Sequence, residues 1–524
     1  MKQPTIPALT AFAVGVFGLA APASAQTTPY PPMLRGDTVN TSQGWETTPL
    51  LTIGESRNGF TPTGILDGLG AFPGPGNTIY VLANSELGSN VGYSYTLANG
   101  TAMTGARVHR FQVARRLVSG MPKFAVLSGG PAYDTVYDRS YVEVTDPAQI
   151  NETGSLTDGF ARFCSGMSVQ GGSYGFVDPI YFTGEETSSN HGGSLWALDV
   201  RNGAIWAVPQ AGRMAWENVT PLDTGDPNTV ALLCGDDDEA NPLYLYVGEK
   251  NAVNDGSFLD RNGLKVGKLY AFKADNGDTS PEQFNGLNSF RTGAWVQVTA
   301  YNPAMANQPG YDAQGYADIV TLHDEADLLG CMDFSRPEDL ATNPLNGAQA
   351  VFNSTGRGSI FPSDEWGIIY VVDVNFADLT AEMVIIHDAD GLAVPDAGIR
   401  SPDNLEWAQD GKIYVQEDRS TSLFGLATGI EASIWSLDPI TRVFTRIAEV
   451  DRGVVAPAGS TDSGVGTIGH WETSGIMDVT HLLPHLAGER LMLATVQAHG
   501  IRDGLIGGNA HLAEGGQLVV LSKR

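Results

Sequence analysis

The sequence predicts an all-β protein, a six-bladed β-propeller with long inserted loops. Glycine and proline are frequent, at 63 and 29 residues, and they divide the chain into short segments rich in β-branched and aromatic residues. No long amphipathic helix pattern follows the first residues. A strand-like motif recurs six times along the chain, and such repetition is typical of propellers. A large β-sandwich is the alternative that the irregular spacing of the motif permits.

Each copy of the motif is a short aromatic or aliphatic run that leads directly into polar or acidic residues. The copies lie at residues 79–86, 180–186, 245–250, 350–355, 413–418 and 493–499. A second kind of run, expected to be the next strand of the same antiparallel sheet, lies at residues 194–199, 268–272 and 433–438. Copies of the first motif are roughly 60 to 105 residues apart, longer than a minimal blade, so loops must be inserted. Because one strand of each blade lines a central channel, acidic residues at the strand ends should converge there.

The first residues predict export. Lys2 precedes an apolar run at about residues 6–19, and the small residues 23–25 resemble a cleavage site. The run is too short to span a bilayer. We therefore predict a cleaved signal peptide at 1–25, one mature domain at 26–524, and a periplasmic or extracellular location.

The charge balance is strongly acidic. The chain carries 59 acidic and 30 basic side chains, a formal net charge of −29. Such an excess argues against nucleic acid or an anionic membrane as a partner, and it leaves many carboxylates free to bind cations. Solubility in a salty or calcium-bearing medium is the alternative explanation for most of these acids.

The three cysteines are too few for a disulfide framework, and their odd number leaves at least one thiol unpaired. A free thiol in an oxidising compartment needs burial or a metal. Cys234 follows an apolar run and is expected to be buried, whereas Cys164 has polar neighbours and is the better candidate for a metal ligand.

Arg336 is the candidate catalytic residue. It stands two positions before Glu338, with Pro337 between them. A carboxylate in this arrangement can hold a metal while the guanidinium forks onto a pair of phosphate oxygens. Taken alone, the motif also fits a surface salt bridge at a turn.

Further acidic residues occur where the strand motifs end. Glu185 and Glu186 are adjacent, so in a strand one can bind a metal while the other supports it from the opposite face. Asp236 and Asp237 begin a run of acids that needs a cation or full solvation, and solvation is the simpler explanation. No nucleophile elbow, glycine-rich phosphate loop, zinc-protease motif or dinucleotide fingerprint is present.

The ordered series of short motifs resembles that of the PhoX-type alkaline phosphatases. The motifs are Asn84-Ser85-Glu86, Cys164-Ser165, Glu185-Glu186, Trp216-Glu217, Gly235-Asp236-Asp237, Arg336-Pro337-Glu338 and Pro402-Asp403-Asn404. The resemblance covers nearly the whole mature chain and implies a six-bladed propeller, with iron and calcium in its channel, that hydrolyses phosphate esters outside the cytoplasm. The family often has histidine at Ser85 and Trp216, and its members commonly carry a twin-arginine leader that this chain lacks.

The resemblance also implies roles for single residues. Cys164 would be the thiolate ligand of iron, and Arg336 would hold the phosphate. The implied carboxylate ligands are Glu217, Asp236 or Asp237, Glu338, one or both of Glu185 and Glu186, and Asp403 from the last motif.

A thiolate beside hard carboxylates suits Fe³⁺ next to Ca²⁺. Such ions can polarise a phosphoryl group and supply an oxide or hydroxide nucleophile, so no protein side chain need attack. We therefore expect an exported phosphoric ester hydrolase, a monomer whose partners are a small phosphate ester and metal ions, with no nucleic acid or membrane bound. The alternatives are a calcium-dependent lactonase or phytase-like propeller hydrolase, and a non-catalytic exported propeller that binds a ligand.

Overall fold

The structure is a computed structural model that describes residues 27–36, 44–118, 121–150, 158–189, 191–502, 504, 506–509 and 511–524. The predicted signal peptide, residues 1–25, lies outside the described residues. Among the described residues, no helix has both the length and the apolar character needed to cross a bilayer.

The described chain consists mainly of short strands. They are β1 Leu34–Gly36, β2 Trp45–Thr52, β3 Leu66–Pro73, β4 Thr78–Ser85, β5 Tyr95–Thr96, β6 Ala102–Gly105, β7 Arg107–Val118, β8 Met121–Pro131, β9 Thr135–Tyr137, β10 Gly159–Phe160, β11 Phe163–Val169, β12 Ile180–Glu185, β13 Gly193–Asp199, β14 Ala204–Ala207, β15 Arg213–Met214, β16 Trp216–Leu222, β17 Thr229–Asp236, β18 Asn241–Pro242, β19 Tyr244–Glu249, β20 Gly267–Ala274, β21 Phe290–Val298, β22 Asp333–Phe334, β23 Pro337–Thr342, β24 Gln349–Ser354, β25 Ile368–Asn375, β26 Thr380–Asp388, β27 Pro402–Trp407, β28 Ile413–Glu417, β29 Ser433–Leu437, β30 Phe444–Val450, β31 Glu472–Asp478, β32 Arg490–Arg502 and β33 Glu514–Lys523. The helices are α1 Phe258–Arg261 and α2 Ile319–Leu329, with 3₁₀ turns at Pro147–Gln149, Pro209–Ala211, Pro303–Met305, Pro395–Ala397 and Thr480–Leu482.

Antiparallel pairing groups the main strands of the described chain into six units. In order they are β3-β4-β7-β8, β11-β12-β13-β14, β16-β17-β19-β20, β23-β24-β25-β26, β27-β28-β29-β30 and β31-β32-β33-β2. Their first strands, β3, β11, β16, β23, β27 and β31, lie side by side around one axis. The prediction of an all-β propeller is confirmed, and we interpret the six units as its blades.

The hydrophobic core lies between neighbouring units rather than along the axis. One cluster joins Phe72 of the first unit to Trp196 of the second, and the next joins Phe182 to Tyr246 of the third. Cys234 is fully buried in that second cluster, as predicted. Because apolar side chains fill the spaces between the sheets, the inner ends of the strands are left for polar groups.

The ring closes through strands from the two ends of the described chain. β2 pairs antiparallel with β33, with Thr47 opposite Leu521, so an early strand completes the sixth unit. β21 pairs with both β20 and β26 and joins the third and fourth units into one sheet. The pairing with β2 covers the edge that β33 would otherwise expose.

A buried ion pair joins the first and sixth units. Arg115 on β7 donates from Nη2 to Glu489 Oε1 at 2.6 Å, and both side chains are fully shielded from solvent. We expect Arg115→Met to lower the free energy of unfolding by about 3 kcal/mol, because the variant removes the close partner of a buried carboxylate and leaves it only Arg524, whose Nε lies 3.9 Å away. Urea unfolding measures this change. The matched control is Arg357→Met at the exposed Arg357–Glu239 pair, where the expected loss is below about 1 kcal/mol, and equal losses in both variants would contradict the prediction.

Candidate active site

An acidic pocket of about 200 Å³ opens at one end of the central channel. Eight carboxylates line it, together with one thiol, one imidazole and two guanidinium groups. The lining residues are Glu86, Arg162, Cys164, Glu186, Glu217, Asp237, Arg336, Glu338, Asp403, Asp418, Glu472 and His499. So many acids in one buried place need cations to balance their charge.

One set of ligands comes from a bulge repeated at the start of the inner strands. In five units the register between the first and second strands shifts after the first residue, and pairing resumes three residues later. The first residue inside each shift is Asp67, Cys164, Glu217, Glu338 or Asp403. A bulge re-aims side chains locally, so the same local geometry repeats around the ring and directs these five residues toward the axis.

A second set comes from the ends of the second strands. Glu86, Glu186, Asp237 and Asp418 each follow the last residue of β4, β12, β17 or β28. In the fourth unit the equivalent residue is Thr355, whose hydroxyl donates a hydrogen bond to Glu338. The first, second, third and fifth units thus each deliver two candidate ligands from neighbouring strand ends to the same site.

The ligand atoms form four triads, in each of which all atoms lie within 4.8 Å of one another. Three of the triads overlap and run around the pocket, whereas the fourth is separate, and the third and fourth offer only carboxylate oxygens. The triads are Asp67, Glu86 and Cys164; Cys164, Glu186 and Glu217; Glu217, Asp237 and Glu338; and Asp403, Asp418 and Glu472.

Burial and like charges make these groups resist ionisation. Burial raises the pKa of Glu217 well above its usual range, and Glu338 and Asp403 raise it further. Burial also raises the pKa of the Cys164 thiol, and the negative charge of the nearby Asp67 raises it further. A bound cation would reverse these shifts, because it favours the ionised form of each ligand.

The donor atoms fit metal ions. Asp67 Oδ1, Glu217 Oε1 and Asp403 Oδ1 are buried and accept no hydrogen bond from the described residues. Buried polar atoms are rarely left without a partner. One thiolate among oxygens suits a transition metal such as iron, and the two triads made only of carboxylate oxygens suit calcium.

Arg336 lies across the third triad. Its Nε and Nη2 donate to the two oxygens of Asp237 at 2.7 and 2.9 Å, and Nη2 lies 2.8 Å from Glu338 Oε1. Burial raises the pKa of Asp237, but the opposing effects of Arg336, of a hydrogen bond with Glu338 and of the charge on Arg162 together leave this pKa below its usual value. Arg336 is itself mostly buried, so its guanidinium is held in one orientation.

The structure brings seven of the nine predicted site residues to this pocket. They are Cys164, Glu186, Glu217, Asp237, Arg336, Glu338 and Asp403. Glu185 and Asp236, the other two, point elsewhere. Glu185 accepts from the Ala161 backbone and from Trp196 Nε1, and Asp236 accepts from the Ala215 backbone and pairs with His323 at 2.8 Å.

The physical reason is the alternation of side chains along a strand. Glu185 and Asp236 end β12 and β17 and face neighbouring backbone and ring donors, so the residue after each strand faces the pocket. We therefore assign Glu185 and Asp236 a supporting part and keep Glu186 and Asp237 as the candidate ligands.

Sequence reasoning assigned no role to six residues that belong to this site. They are Asp67, Glu86, Arg162, Asp418, Glu472 and His499. Glu86 and Asp418 could have been predicted in the same way as Glu186, because each is an acidic residue at the end of a copy of the same strand motif. Asp67 stands in Leu66-Asp67-Gly68-Leu69-Gly70, and the two glycines make this segment resemble a turn.

Adjacent Glu185 and Glu186 allow a matched test. We expect Glu185→Ala to lower the free energy of unfolding by about 3 kcal/mol, because two buried donors lose their acceptor. We expect Glu186→Ala to lower the metal content while leaving unfolding in chelator unchanged. Thermal unfolding and elemental analysis of both variants measure these effects. If Glu185→Ala lost metal but kept its full stability, the assignment of Glu186 as the ligand and Glu185 as its support would be wrong.

Fold and site together define a propeller protein with an acidic channel suited to bound cations. The profile of the family described as "Alkaline phosphatase PhoX" matches residues 206–434, which include Glu217, Asp237, Arg336, Glu338 and Asp403. The chain is also similar in structure to PhoX of Pseudomonas fluorescens in complex with vanadate, a transition state analogue. The TM-score is 0.62 at 18% identity, over 95% of this chain and 97% of that one. The predicted resemblance to the PhoX-type alkaline phosphatases is thereby confirmed.

A second structural similarity is weaker. The GH43 β-1,3-galactosidase BT3683 aligns with a TM-score of 0.32 at 7% identity, over 90% of this chain and 94% of that chain. No curated protein matches the sequence significantly.

Proposed function

We propose that this protein is a metal-dependent phosphatase that hydrolyses phosphate esters at the mouth of its channel. The observation that carries the proposal is a buried guanidinium, Arg336, forked onto one wall of a pocket that also holds a thiol and eight carboxylates. Phosphoester chemistry needs cations to offset the charge of the phosphoryl oxygens and an oriented donor to hold them. The PhoX family match over residues 206–434 supports this reaction class.

The four triads would hold the metal ions. Cys164, Glu186 and Glu217 would bind iron, and the oxygen triad of Asp403, Asp418 and Glu472 would bind calcium. When bound, these ions would polarise the phosphoryl group and supply the attacking nucleophile.

The protein's own residues would position the substrate. Arg336, held by Asp237 and Glu338, would offer the donors of its Nη1 to the phosphoryl oxygens and offset the negative charge that grows on them during the reaction. Thr355, which donates to Glu338, fixes one carboxylate wall beside this guanidinium. On the opposite side, Asn84 Nδ2 donates to the backbone carbonyls of Cys164 and Ser165 at 2.9 and 2.8 Å and holds the bulge that carries the thiol.

The setting of the enzyme follows from its sequence. We propose that residues 1–25 direct export, that residues 26–524 form one domain, and that this domain acts as a monomer in the periplasm or outside the cell. Its substrate would be a small phosphate ester, and its acidic charge would keep it from nucleic acid and anionic membranes.

Elemental analysis of purified protein, together with hydrolysis of a chromogenic phosphomonoester, tests this function. We expect bound iron and calcium and a phosphatase activity that copurifies with them. Calcium alone, with lactonase or phytate hydrolysis, would favour the propeller hydrolase alternative. A protein that binds calcium but hydrolyses none of these substrates would be a binding protein, and the phosphatase proposal would be wrong.

A further inference from the structure

Arg162 and Arg336 occupy equivalent places in two units of the ring. Each is the residue immediately before an inner strand, β11 or β23, and each stands two positions before a candidate ligand, Cys164 or Glu338. Both have a left-handed backbone, with φ of 48° and 62°. Ile65 and Ser401, which precede β3 and β27, have the same conformation, so it marks the start of the inner strands and shows that the two arginines occupy equivalent positions.

The contacts of the two guanidinium groups are also alike. Arg162 Nη2 lies 2.7 Å from Glu86 Oε1, and its Nε donates to Glu186 at 3.1 Å. Arg162 therefore bridges a carboxylate of the first unit to one of the second. Arg336 in the same way bridges Asp237 of the third unit to Glu338 of the fourth. The fold thus delivers two forked cations to one acidic pocket.

The two groups differ in depth. The side chain of Arg162 is 48% exposed, against 15% for Arg336. A phosphoryl group held by Arg336 would lie among the buried ligands Glu217 and Glu338, so the rest of the ester must extend toward solvent. Arg162 stands at the outer part of the same pocket, where the leaving group would pass.

An anionic leaving group would meet repulsion there. Eight carboxylates line the pocket, and bound metal ions would lie among the deeper ones. A planar guanidinium at the mouth can bind a carboxylate or a second phosphate through two parallel hydrogen bonds. A neutral leaving group gains nothing from this contact.

We propose that Arg162 is a second substrate-binding residue, which selects phosphate esters whose leaving group carries a further anionic group. This inference rests on the proposed phosphatase function and names the class of substrate. The chemistry recognised is a cluster of anionic oxygens, either a carboxylate or a second phosphate, next to the ester that is cleaved.

The test compares matched substrates. Values of kcat/KM are measured for phenyl phosphate and para-carboxyphenyl phosphate with the wild-type protein and with Arg162→Gln, Arg162→Lys and the control Arg201→Gln. Arg201 is exposed, pairs with Asp178 and lies outside the pocket lining. The ratio of the two values for one protein does not depend on the fraction of molecules that carry metal.

We expect the wild-type protein and Arg201→Gln to prefer the carboxylated ester. Arg162→Gln should lower this preference about tenfold, as loss of one charge-assisted contact would, and Arg162→Lys should retain part of it. An unchanged preference in Arg162→Gln would overturn the proposal and leave Arg162 as a structural partner of Glu86 and Glu186. Bisphosphorylated esters added as a second series distinguish carboxylate from phosphate recognition.

A binding experiment separates this inference from the proposed function. Calorimetry with methylphosphonate and carboxymethylphosphonate, neither of which is cleaved, measures the same preference without turnover. If the wild-type protein hydrolyses no ester but binds carboxymethylphosphonate more tightly than methylphosphonate, and if Arg162→Gln loses this preference, the proposed phosphatase function is wrong. The proposal that Arg162 binds an anionic group then still holds. Failure to bind either phosphonate would overturn the proposal for Arg162.

Discussion

Replacement of Arg336 with alanine is expected to lower kcat for a simple phosphomonoester by about a hundredfold. This is the usual effect of removing one preorganised charged contact to the transition state. Arg336 is held in place by Asp237 and Glu338 before any substrate arrives, so the guanidinium need not reorganise during the reaction. Steady-state kinetics of the purified variant measure the change.

A conservative variant makes the result specific. Arg336→Lys retains the charge but loses the fork, and we expect its activity to lie between that of the wild-type protein and that of Arg336→Ala. Elemental analysis must show the same metal content in both variants, because Arg336 contacts two candidate ligands. An unchanged rate in Arg336→Ala, with metals in place, would count decisively against Arg336 as the phosphate-binding residue.

Removal of the metal ions is expected to have a still larger effect. Exhaustive chelation should reduce phosphatase activity below detection, because the carboxylate pocket alone repels an anionic substrate. It should also lower the thermal midpoint, since each cation site that is lost gives up about 2.7 kcal/mol when the free ion had been at a hundred times its Kd. Activity assays and thermal unfolding before and after chelation measure both effects.

Return of single ions then separates the sites. We expect calcium alone to restore most of the stability, and iron together with calcium to restore activity. Cys164→Ser is the matched variant: it should keep the calcium-dependent stabilisation and lose iron, since a hydroxyl is a poor ligand compared with a thiolate. Full activity of the metal-free protein would contradict the whole arrangement of triads.

The fold could be predicted from the sequence because its repeated strands are short, strongly apolar runs that can be recognised without knowledge of their partners. Strands such as Ile180–Glu185 and Tyr244–Glu249 are mostly buried and end in acids or turns, as the motif indicated. Their register was not predictable. The bulge that points Glu217 and Glu338 at the axis depends on which residues pair across β16, β17, β23 and β24, and no local pattern states that pairing.

Adjacent acids alone do not explain which site residues were predicted, because Glu217 and Asp403 stand alone and were predicted, whereas Asp418 stands beside Glu417 and was missed. Adjacent pairs drew attention to Glu185-Glu186 and Asp236-Asp237, yet one member of each pair serves a neighbouring backbone donor. Asp67 has no acidic neighbour, although it occupies the same bulge position as Glu217. The comparison of equivalent positions across units, rather than of charge density along the chain, would have found it.

The pairing of β2 with β33 makes the sixth unit depend on strands from both ends of the described chain. Gln497 on β32 donates to Asp67 at 2.8 Å, so this unit also supports a candidate ligand of the first unit. Gln497 is in turn paired with Gly516 of β33. Proteolysis within β33 would therefore weaken the support of Asp67 without removing any member of the four triads.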